Sequence, residues 1–440
     1  MERPKKFRSR IFNLSSPAAT AVAAFFFTLL FTIASTWPAH AQTGYSRIIY
    51  SFTGGEDGGT PQGGLVADAA GNLYGTTAGP PNGHRCELAG DCGTVFKLSP
   101  DGDQWSFTTL YRFRGGTDGF HPAARLAIGP DGSLYGTTVQ GGGGVGNIGV
   151  CQYQDGCGTV FRLTPTADGQ WHETIIFHFP YQEDLNAGWG NGVIVDQTGN
   201  VYGTDVHGGQ FGAGSVYKLT PTNRGYAYSV IHSFGGYGDG GDPYSSPSMD
   251  STGNLYGTLT YGPGPYGSGL VYKLTPTNGE WTYEIIYHPT NFAGGGQALA
   301  GVTLDAAGNV YGAYATGGPS NGYDGYASGT VFRLSPAGAG YEYSLLHSWN
   351  VEGAYGPSDL VAVDAAGNVY GTNAENDDMR GDDNSVFEIA AQHNGSGDYN
   401  DLYNFNWDPS GLTLAPNKKL YGVTEYGGAY YQGMVFEVTP

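Results

Sequence analysis

Two short phrases that return together seven times constrain the fold of this chain more than any other feature. They first occur as G-N-L-Y-G-T-T at residues 71–77 and G-T-V-F-K-L-S-P at residues 93–100. The tyrosine of the first phrase recurs at Tyr74, Tyr135, Tyr202, Tyr256, Tyr311, Tyr370 and Tyr421, and the valine of the second at Val95, Val160, Val216, Val271, Val331, Val386 and Val435. Such a period is typical of repeat architectures in which each unit is one small supersecondary structure.

Each unit has room for about four short strands. The two phrases are rich in aromatic and β-branched residues and end at glycine, asparagine or proline, which predicts strands bounded by tight turns. An apolar run precedes each tyrosine phrase, and an aromatic-rich run such as Trp105 to Phe113 follows the valine phrase. No segment has a helical pattern. We therefore predict an all-β fold, a seven-bladed β-propeller with four antiparallel strands per blade.

The two ends of the repeat region complement each other. Residues 45–52 have the pattern of a fourth strand, whereas the last unit stops at Pro440 after its third strand. The N-terminal strand is predicted to join the three C-terminal strands and close the ring, which leaves no blade edge open. The apolar residues of this strand that we expect to be packed are Ile48, Ile49, Tyr50 and Phe52.

An aspartate precedes the tyrosine phrase in six units, at Asp68, Asp131, Asp196, Asp250, Asp305 and Asp364. The glycine that follows it can adopt a left-handed turn conformation. Six equivalent carboxylates could instead hold metal ions, but aspartate before glycine is favoured in turns without any metal. We interpret them as turn residues.

The first 41 residues have the pattern of a secretory signal peptide. Five basic residues lie within the first ten, an apolar run extends from Ala18 to Ala34, and residues 39–41 offer small side chains for cleavage. An uncleaved anchor is the alternative, since about seventeen mostly apolar residues can just cross a bilayer. We predict a secreted, periplasmic or cell-surface protein, with residues 42–440 forming one propeller domain that has no membrane span.

Charge narrows the range of partners. Without residues 1–41 the chain has 14 basic and 38 acidic residues, which is a net charge of −24. Nucleic acids and anionic membranes are disfavoured partners for such a chain. We expect a monomer.

The four cysteines occupy equivalent places in two units. Cys86 and Cys92 precede the valine phrase of unit one, and Cys151 and Cys157 precede that of unit two, with five residues inside each pair. Four cysteines allow three pairings, and the repeated location favours two local disulfides. A zinc site is the alternative, although an oxidising compartment favours disulfides.

Comparison of the copies also predicts the role of two histidines and the position of a binding face. His232 and His347 fall where other units have an aromatic residue, so we interpret them as variants of a packing position. The second-to-third and blade-to-blade connections vary between units, and both emerge at one end of an up-and-down blade. The candidate ligand-binding residues at that end are Phe120, His121, Trp189, Tyr244, Tyr261, Tyr323, Tyr355, Trp407 and Tyr430.

These aromatic residues stand among acids and amides, a combination that matches the apolar faces and hydroxyl rims of sugar rings. The alternative is that glycine-rich loops simply bury the rings against the rim. Calcium is a further interpretation for Asp377, Asp378, Asp382 and Asp383, but their spacing is not that of an EF-hand, and a solvated acidic loop is favoured. No other cofactor is predicted.

No catalytic residue is assigned. The sequence has no nucleophile elbow, no H-E-x-x-H and no phosphate loop. Catalysis would therefore depend on carboxylates, a loop histidine or a bound metal at the axis.

The recurring phrases resemble the bacterial GloVer repeat, the tandem repeat of exported proteins of the choice-of-anchor kind. The resemblance covers nearly all of residues 45–440, although residues 385–390 lack the threonine-proline ending and unit seven has Lys418 and Lys419 in its turn. It implies an exported repeat protein without an established activity. The D-x-x-G-N-L-Y hairpin is more remotely similar to NHL-type propellers and to propeller lyases and lactonases.

The sequence therefore predicts a secreted propeller that acts as a binding or interaction module for extracellular glycan or another surface polymer. A metal-assisted lyase or lactonase at the axial opening is one alternative, and a cell-envelope scaffold is another. Three acids or histidines that converge on one point would favour the enzyme, and a broad aromatic surface would favour binding.

Mass mapping of the unreduced protein tests the cysteine assignment. We expect linked peptides that contain Cys86 with Cys92 and Cys151 with Cys157, because each pair lies within one loop. Reduced protein mapped in parallel is the control. A cross-unit pair such as Cys92 with Cys151 would refute the loop assignment.

Overall fold

The computed structural model describes residues 45–79, 92–143, 156–179, 191–236, 238–263, 268–289, 295–318, 329–349, 356–357, 359–373, 384–391 and 398–440. All of them belong to the unit Gln42–Pro440. The predicted signal peptide, residues 1–41, lies outside the described residues.

Within these residues the chain forms 28 strands in seven four-stranded antiparallel sheets, with one 3₁₀ turn at Gly116–Asp118. The first strands of the blades are β2 (Val66–Ala67), β6 (Ala127–Ile128), β10 (Val193–Val195), β14 (Ser248–Met249), β18 (Thr303–Leu304), β22 (Ala362–Val363) and β26 (Pro409–Leu414). The second strands are β3 (Leu73–Thr77), β7 (Leu134–Thr138), β11 (Val201–Asp205), β15 (Leu255–Leu259), β19 (Val310–Tyr314), β23 (Val369–Asn373) and β27 (Leu420–Thr424).

The third strands are β4 (Thr94–Asp101), β8 (Thr159–Pro165), β12 (Ser215–Thr222), β16 (Leu270–Thr277), β20 (Thr330–Ala337), β24 (Ser385–Ile389) and β28 (Met434–Thr439). The fourth strands are β5 (Gln104–Arg112), β9 (Trp171–His178), β13 (Gly225–Ser233), β17 (Glu280–Tyr287), β21 (Gly340–Ser348), β25 (Tyr399–Asn404) and, in blade seven, β1 (Tyr45–Ser51). The seven-bladed propeller predicted from the repeats is thus confirmed.

The ring closes as predicted. The sheet of blade seven has the order β1-β28-β27-β26, so the N-terminal strand is the outer strand of a blade whose other three strands are C-terminal. Tyr45 pairs with Thr439 and Ser51 with Met434. Because one blade is built from both ends of the repeat region, opening the ring requires breaking a strand pair.

In five blades an aspartate holds the first hairpin. In blade one, Asp68 Oδ1 accepts hydrogen bonds from the backbone N–H groups of Ala70 and Asn72, both at 2.9 Å. Its Oδ2 accepts from Asn72 Nδ2 at 2.7 Å and from the Tyr74 hydroxyl at 3.1 Å. The equivalent acceptors with the same four kinds of donor are Asp196, Asp250, Asp305 and Asp364. The turn interpretation is confirmed for these five. Asp131 also lies in the turn, but it is not equivalent to them, because Gly129 takes the aspartate position in blade two and Asp131 accepts from Ser133 and Arg162 instead.

The tyrosine of this hairpin also contacts the next blade. The ring centroids of Tyr74 in blade one and Trp171 in blade two lie 6.3 Å apart in an edge-on arrangement. The equivalent pairs between neighbouring blades are Tyr135–Tyr226, Tyr202–Trp281, Tyr256–Tyr341 and Tyr421–Trp105. The last pair joins blade seven to blade one, so the same contact spans the closure.

A β-bulge recurs between the third and fourth strands of every blade. In blade one, Val95 pairs with Tyr111 and Phe96 with Thr109, so Leu110 is skipped. The skipped residue is always aliphatic: Ile49, Leu110, Ile176, Ile231, Ile286, Leu346 and Leu402. A bulge interrupts the two-residue alternation of side chains. Ile49 and Tyr50 therefore both pack against the core, whereas Ile48 is 55 % exposed, and its predicted burial was wrong.

In five blades the aromatic side chain that follows the bulge stacks on an aromatic side chain of the next blade. Tyr50 stacks on Phe107 with a centroid separation of 4.1 Å and an interplanar angle of 9°. The equivalent stacks are Phe177–Tyr228, His232–Tyr283, Tyr287–Tyr343 and His347–Tyr399. Burial in this stack lowers the pKa of His347 to about 4. The interpretation of His232 and His347 as packing variants is confirmed.

Glu173 interrupts this series between blades one and two. It pairs with Leu163 as Phe107 pairs with Leu98, so a carboxyl group lies where five other blades have the stacked ring and blade seven has Ser46. Its Oε1 is buried and has no hydrogen-bond partner among the described residues. Burial, followed by the negative charge of Asp118, raises the pKa of Glu173 to about 7, and the charge of Arg114 opposes the shift.

Two substitutions in the N-terminal segment 45–52 test the ring closure. Phe52 follows this strand and is fully buried beside Leu65 and Phe96, so Phe52→Ala should lower the free energy of unfolding by about 3–5 kcal/mol. Ile48→Ala is the control in the same segment, and because its side chain is exposed it should cost no more than about 0.5 kcal/mol. Denaturant unfolding measures both, and equal losses would contradict the described packing of this strand.

Substitution of Glu173 tests the unusual carboxyl. An acid with a raised pKa holds its proton more tightly in the folded than in the unfolded state, so its contribution to stability falls as pH rises from about 4.5 to about 7. Glu173→Gln should therefore raise the melting temperature at pH 8 and change it little at pH 4.5. The matched control is Glu284→Gln. Glu284 is exposed in β17, the fourth strand of blade four, and its substitution should show no such pH dependence. A Glu173→Gln effect of the same size at both pH values would rule out this explanation.

Candidate functional site

The end of the propeller that the sequence predicts as the binding face carries the connections from second to third strands and from each blade to the next. We call it the loop face. A cavity of about 350 Å³ opens on the axis at this face. Each blade lines it at the start of its first strand: the residues just before that strand include Gly63, Ala124, Asn191, Ser245, Ala300 and Asp359, and the equivalent Ser410 lies within β26. A second cavity of about 350 Å³ runs along the first strands and shares Arg125, Ser246 and Leu360 with it.

Arg125 of blade two supplies a positive charge to the wall of both cavities. Its Nη2 donates a hydrogen bond to the backbone carbonyl of Leu412 in blade seven at 2.7 Å. The salt bridges formed among the described residues do not include it. Burial lowers the pKa of Arg125, and the charge of Asp359 opposes this shift. An arginine remains protonated at neutral pH even so.

Among the described residues that line the first cavity, Asp359 of blade six is the only carboxylate. Its Oδ1 accepts a hydrogen bond from the backbone N–H of Leu360 at 2.7 Å, and its Oδ2 accepts one from the N–H of Gly411. The two backbone donors fix the carboxylate at the start of two neighbouring first strands.

Neither charge is repeated in the other blades. The strand register aligns Arg125 with Gly64, Gly192, Ser246, Gly301, Leu360 and Gly411. It aligns Asp359 with Gly63, Ala124, Asn191, Ser245, Ala300 and Ser410. The sequence analysis missed both residues. Alignment of the positions before each first strand is the signal that would have found them.

Close packing explains the glycines at these positions. A Cβ atom placed on Gly411 would lie 2.0 Å from Gly64 Cα, so blades one and seven meet through two glycines. A Cβ on Gly192 would lie 2.9 Å from the Arg125 carbonyl oxygen. Blade two departs from this pattern, because it has the long, charged side chain of Arg125 where four other blades have glycine.

Four exposed aromatic residues gather at the rim of blade seven, and we call them the blade-seven patch: Trp407, Tyr426, Tyr430 and Tyr431. The Trp407 and Tyr431 rings stand edge to face with centroids 6.0 Å apart. A Cβ on Gly427 would lie 2.4 Å from Trp407 Cδ1, which shows that the indole packs directly on the backbone of the β27–β28 loop. The indole is nevertheless 38 % exposed.

Acidic groups border this patch. Asp408 follows Trp407, and burial raises the pKa of its carboxyl, with a further rise from the charge of Glu425 and a lowering by a hydrogen bond from Asn384. The patch therefore combines aromatic faces with carboxylate and amide groups, as the sequence predicts for the loop face.

Two further candidates, Tyr244 and Tyr261, lie together on blade four and are 37 % and 47 % exposed. Burial, followed by the charges of Asp242 and Tyr261, raises the pKa of Tyr244. Tyr244 also lines the axial cavity. This pair is thus placed between the axis and the rim, on a different blade from the blade-seven patch.

The remaining candidates are placed differently. Phe120 is 9 % exposed and packs with Phe113 and Leu126 in the core between blades, so its ring does not offer a binding surface. The backbone N–H of His121 donates to the Cys92 carbonyl, and His121 has a φ of 59°. Trp189, Tyr323 and Tyr355 lie outside the described residues.

The described part of the chain contains no group of three or more histidine, cysteine, aspartate or glutamate residues arranged to hold a metal ion. Asp377, Asp378, Asp382 and Asp383 lie outside that part. Cys92 and Cys157 are buried, and neither is a free thiol. Since Cys86 and Cys151 lie outside the described residues, the predicted pairing stays a prediction.

The fold and the repeated units define a seven-bladed propeller built from tandem copies of one sequence motif. The family model of the Gloeobacter/Verrucomicrobia repeat matches residues 148–382, more than half of the chain, and the protein belongs to this family. The resemblance inferred from the two phrases is thereby confirmed. The repeat is of a kind found in extracellular proteins.

Two solved structures share the fold at low sequence identity. One is a streptogramin B lyase, with a TM-score of 0.56 and 13 % sequence identity. The matched region covers 91 % of this chain and 99 % of the lyase chain. The other is virginiamycin B lyase from Staphylococcus aureus, with a TM-score of 0.54 and 12 % identity, which covers 90 % and 99 %. At these identities the similarity concerns the fold alone. A search of curated protein sequences finds no significant match.

No helix in the described residues has the length and apolar character needed to cross a bilayer.

Proposed function

We propose that this protein is an exported binding module that holds an extracellular glycan or another surface polymer on its loop face, through the blade-seven patch. The observation that carries the proposal is the grouping of Trp407, Tyr426, Tyr430 and Tyr431 at one place on that face. The described chain contains eleven exposed large hydrophobic residues, and these four belong to one rim.

The chemistry of the patch matches a carbohydrate chain. A sugar ring offers apolar C–H faces to an aromatic ring and hydroxyl groups to carboxylates and amides around it. Trp407 is held against Gly427, so its position is fixed before a ligand arrives and little conformational freedom is lost on binding. Asp408 and Glu425 supply hydrogen-bond acceptors beside it.

The acidic composition favours a neutral or cationic polymer over a strongly anionic one. The full chain carries a net charge of −20, and the border of the patch adds acidic rather than basic groups. Like charges on the protein and a polyanion would repel each other at long range. We therefore expect the bound glycan to be uncharged or to carry amino groups.

An enzyme that acts at the axial opening remains the alternative. Asp359 provides a carboxylate there, and two propellers of known structure with a similar fold are lyases. A metal analysis of the purified protein, run beside a glycan array, separates the two functions. A stoichiometric metal would favour the enzyme, and array signals without one would favour the binding module.

Substitution of Trp407 tests the proposed surface once an array has identified a bound glycan. Trp407→Ala should weaken binding by about 1–3 kcal/mol, because a buried aromatic contact with the sugar is lost. Phe211→Ala removes another exposed ring, 61 % accessible and on blade three, and should leave the affinity unchanged. Isothermal titration measures both variants. Normal binding by Trp407→Ala would place the glycan elsewhere.

A further inference from the structure

The guanidinium of Arg125 has hydrogen-bonding capacity that the protein does not use. It carries five N–H donors, and Nη2 bonded to the Leu412 carbonyl is its one hydrogen bond to the described residues. The side chain belongs to the wall of the axial cavity, where the equivalent positions of four blades are glycine. A buried or half-buried charge with unused donors costs free energy unless a partner satisfies them.

Asp359 lies in the same cavity wall. It belongs to blade six, which is three blades from blade two in one direction around the ring and four in the other. The two side chains are close enough for the charge of Asp359 to act on Arg125, yet they form no ion pair within 4.0 Å. Both Asp359 oxygens already accept a backbone N–H, and each keeps capacity for a second donor. Arg125 bonds the Leu412 carbonyl and Asp359 bonds the N–H of the preceding Gly411, so both side chains reach the same segment of blade seven and the cavity offers unused donors beside unused acceptors.

We propose that the axial cavity binds a small carboxylate that also carries hydrogen-bond donors. The carboxylate lies against the Arg125 guanidinium, whose planar fork matches its two oxygens. Hydroxyl or ammonium groups next to the carboxylate of the ligand donate to Asp359.

The size and lining of the cavity suit such a ligand. A volume of about 350 Å³ lies at the lower end of the range for small-molecule sites. Ala123, Ala300 and Gly301 leave space around the axis, and Ser245, Ser246 and Ser410 add hydroxyl groups to the wall. The site shares no residue with the blade-seven patch, so this inference does not rest on the proposed polymer binding.

Hydroxy acids and amino acids both have the required chemistry, and two probes distinguish them. D-glucuronate carries hydroxyl donors, whereas L-glutamine carries an ammonium group. D-glucuronamide is the uncharged counterpart of the first probe. Isothermal titration of the unmodified protein should give a Kd of about 1 mM or tighter for one of the two carboxylates. Failure of both, or equal binding of the glucuronamide, would overturn the proposal.

Variants of Arg125 then test whether the carboxylate binds in the axial cavity. Arg125→Met keeps the length of the side chain but removes its donors, and should weaken the bound carboxylate at least about tenfold. Arg125→Lys keeps the charge without the fork and should bind with intermediate affinity. Arg112→Met is the matched control, because Arg112 lies in the outer strand β5 and pairs with Glu56. Unchanged binding in Arg125→Met would refute the assignment.

Circular dichroism and melting temperatures show whether each variant is folded. Arg125→Met also loses the hydrogen bond to Leu412, so it is the variant at risk. If it does not fold, the comparison of D-glucuronate with D-glucuronamide in the unmodified protein, together with Arg125→Lys, still decides the question.

Discussion

The propeller depends on one small network, in which an aspartate closes the first hairpin of five of the seven blades. Asp68 accepts four hydrogen bonds, two from backbone N–H groups, one from Asn72 and one from the Tyr74 hydroxyl. The network therefore fixes the turn and the direction of the tyrosine at the same time. Since that tyrosine contacts the next blade, the geometry of a local turn sets the spacing between blades. Burial alone would raise the pKa of such a carboxyl, yet hydrogen bonds from Asn254 and Thr252 hold that of Asp250 at about 2.

The same network explains why seven unequal copies still form one ring. Blade seven has Ala415 at the aspartate position, and Asn417 Nδ2, two residues later in the turn, donates to the Tyr421 hydroxyl at 2.9 Å. Glu437 supplies the missing negative charge, because it accepts from Tyr421 at 3.1 Å and from Lys419 at 2.7 Å. The tyrosine thus keeps its orientation and its contact with Trp105 of blade one. What is retained in each blade is the position of the tyrosine, not the identity of its partner.

Most of the fold was predictable because each strand carries its own phrase and the phrases can be counted. The closure followed from matching deficits at the two ends, and the stacking role of His232 and His347 followed from the aromatic residues at equivalent positions. The exposure of individual side chains was not predictable in the same way. Ile48 was expected to be packed, but the bulge that skips Ile49 changes which side chains face the core. Phe120 and Trp407 both stand in variable loops, and only three-dimensional packing distinguishes the buried ring from the exposed one.

The axial residues escaped sequence analysis for a different reason. The first strands pair over only two or three residues in most blades, so the positions ahead of them look like loop until the register is known. Once aligned, these positions show how a symmetric scaffold acquires a site. Seven near-identical blades place seven equivalent residues around one axis, and small side chains there keep the channel open. One arginine and one aspartate then supply opposite charges to this wall, and no other described residue that lines the first cavity carries a charge. The residues shared by the repeats form the cavity, and Arg125 and Asp359, which depart from the repeat, determine what the cavity can bind.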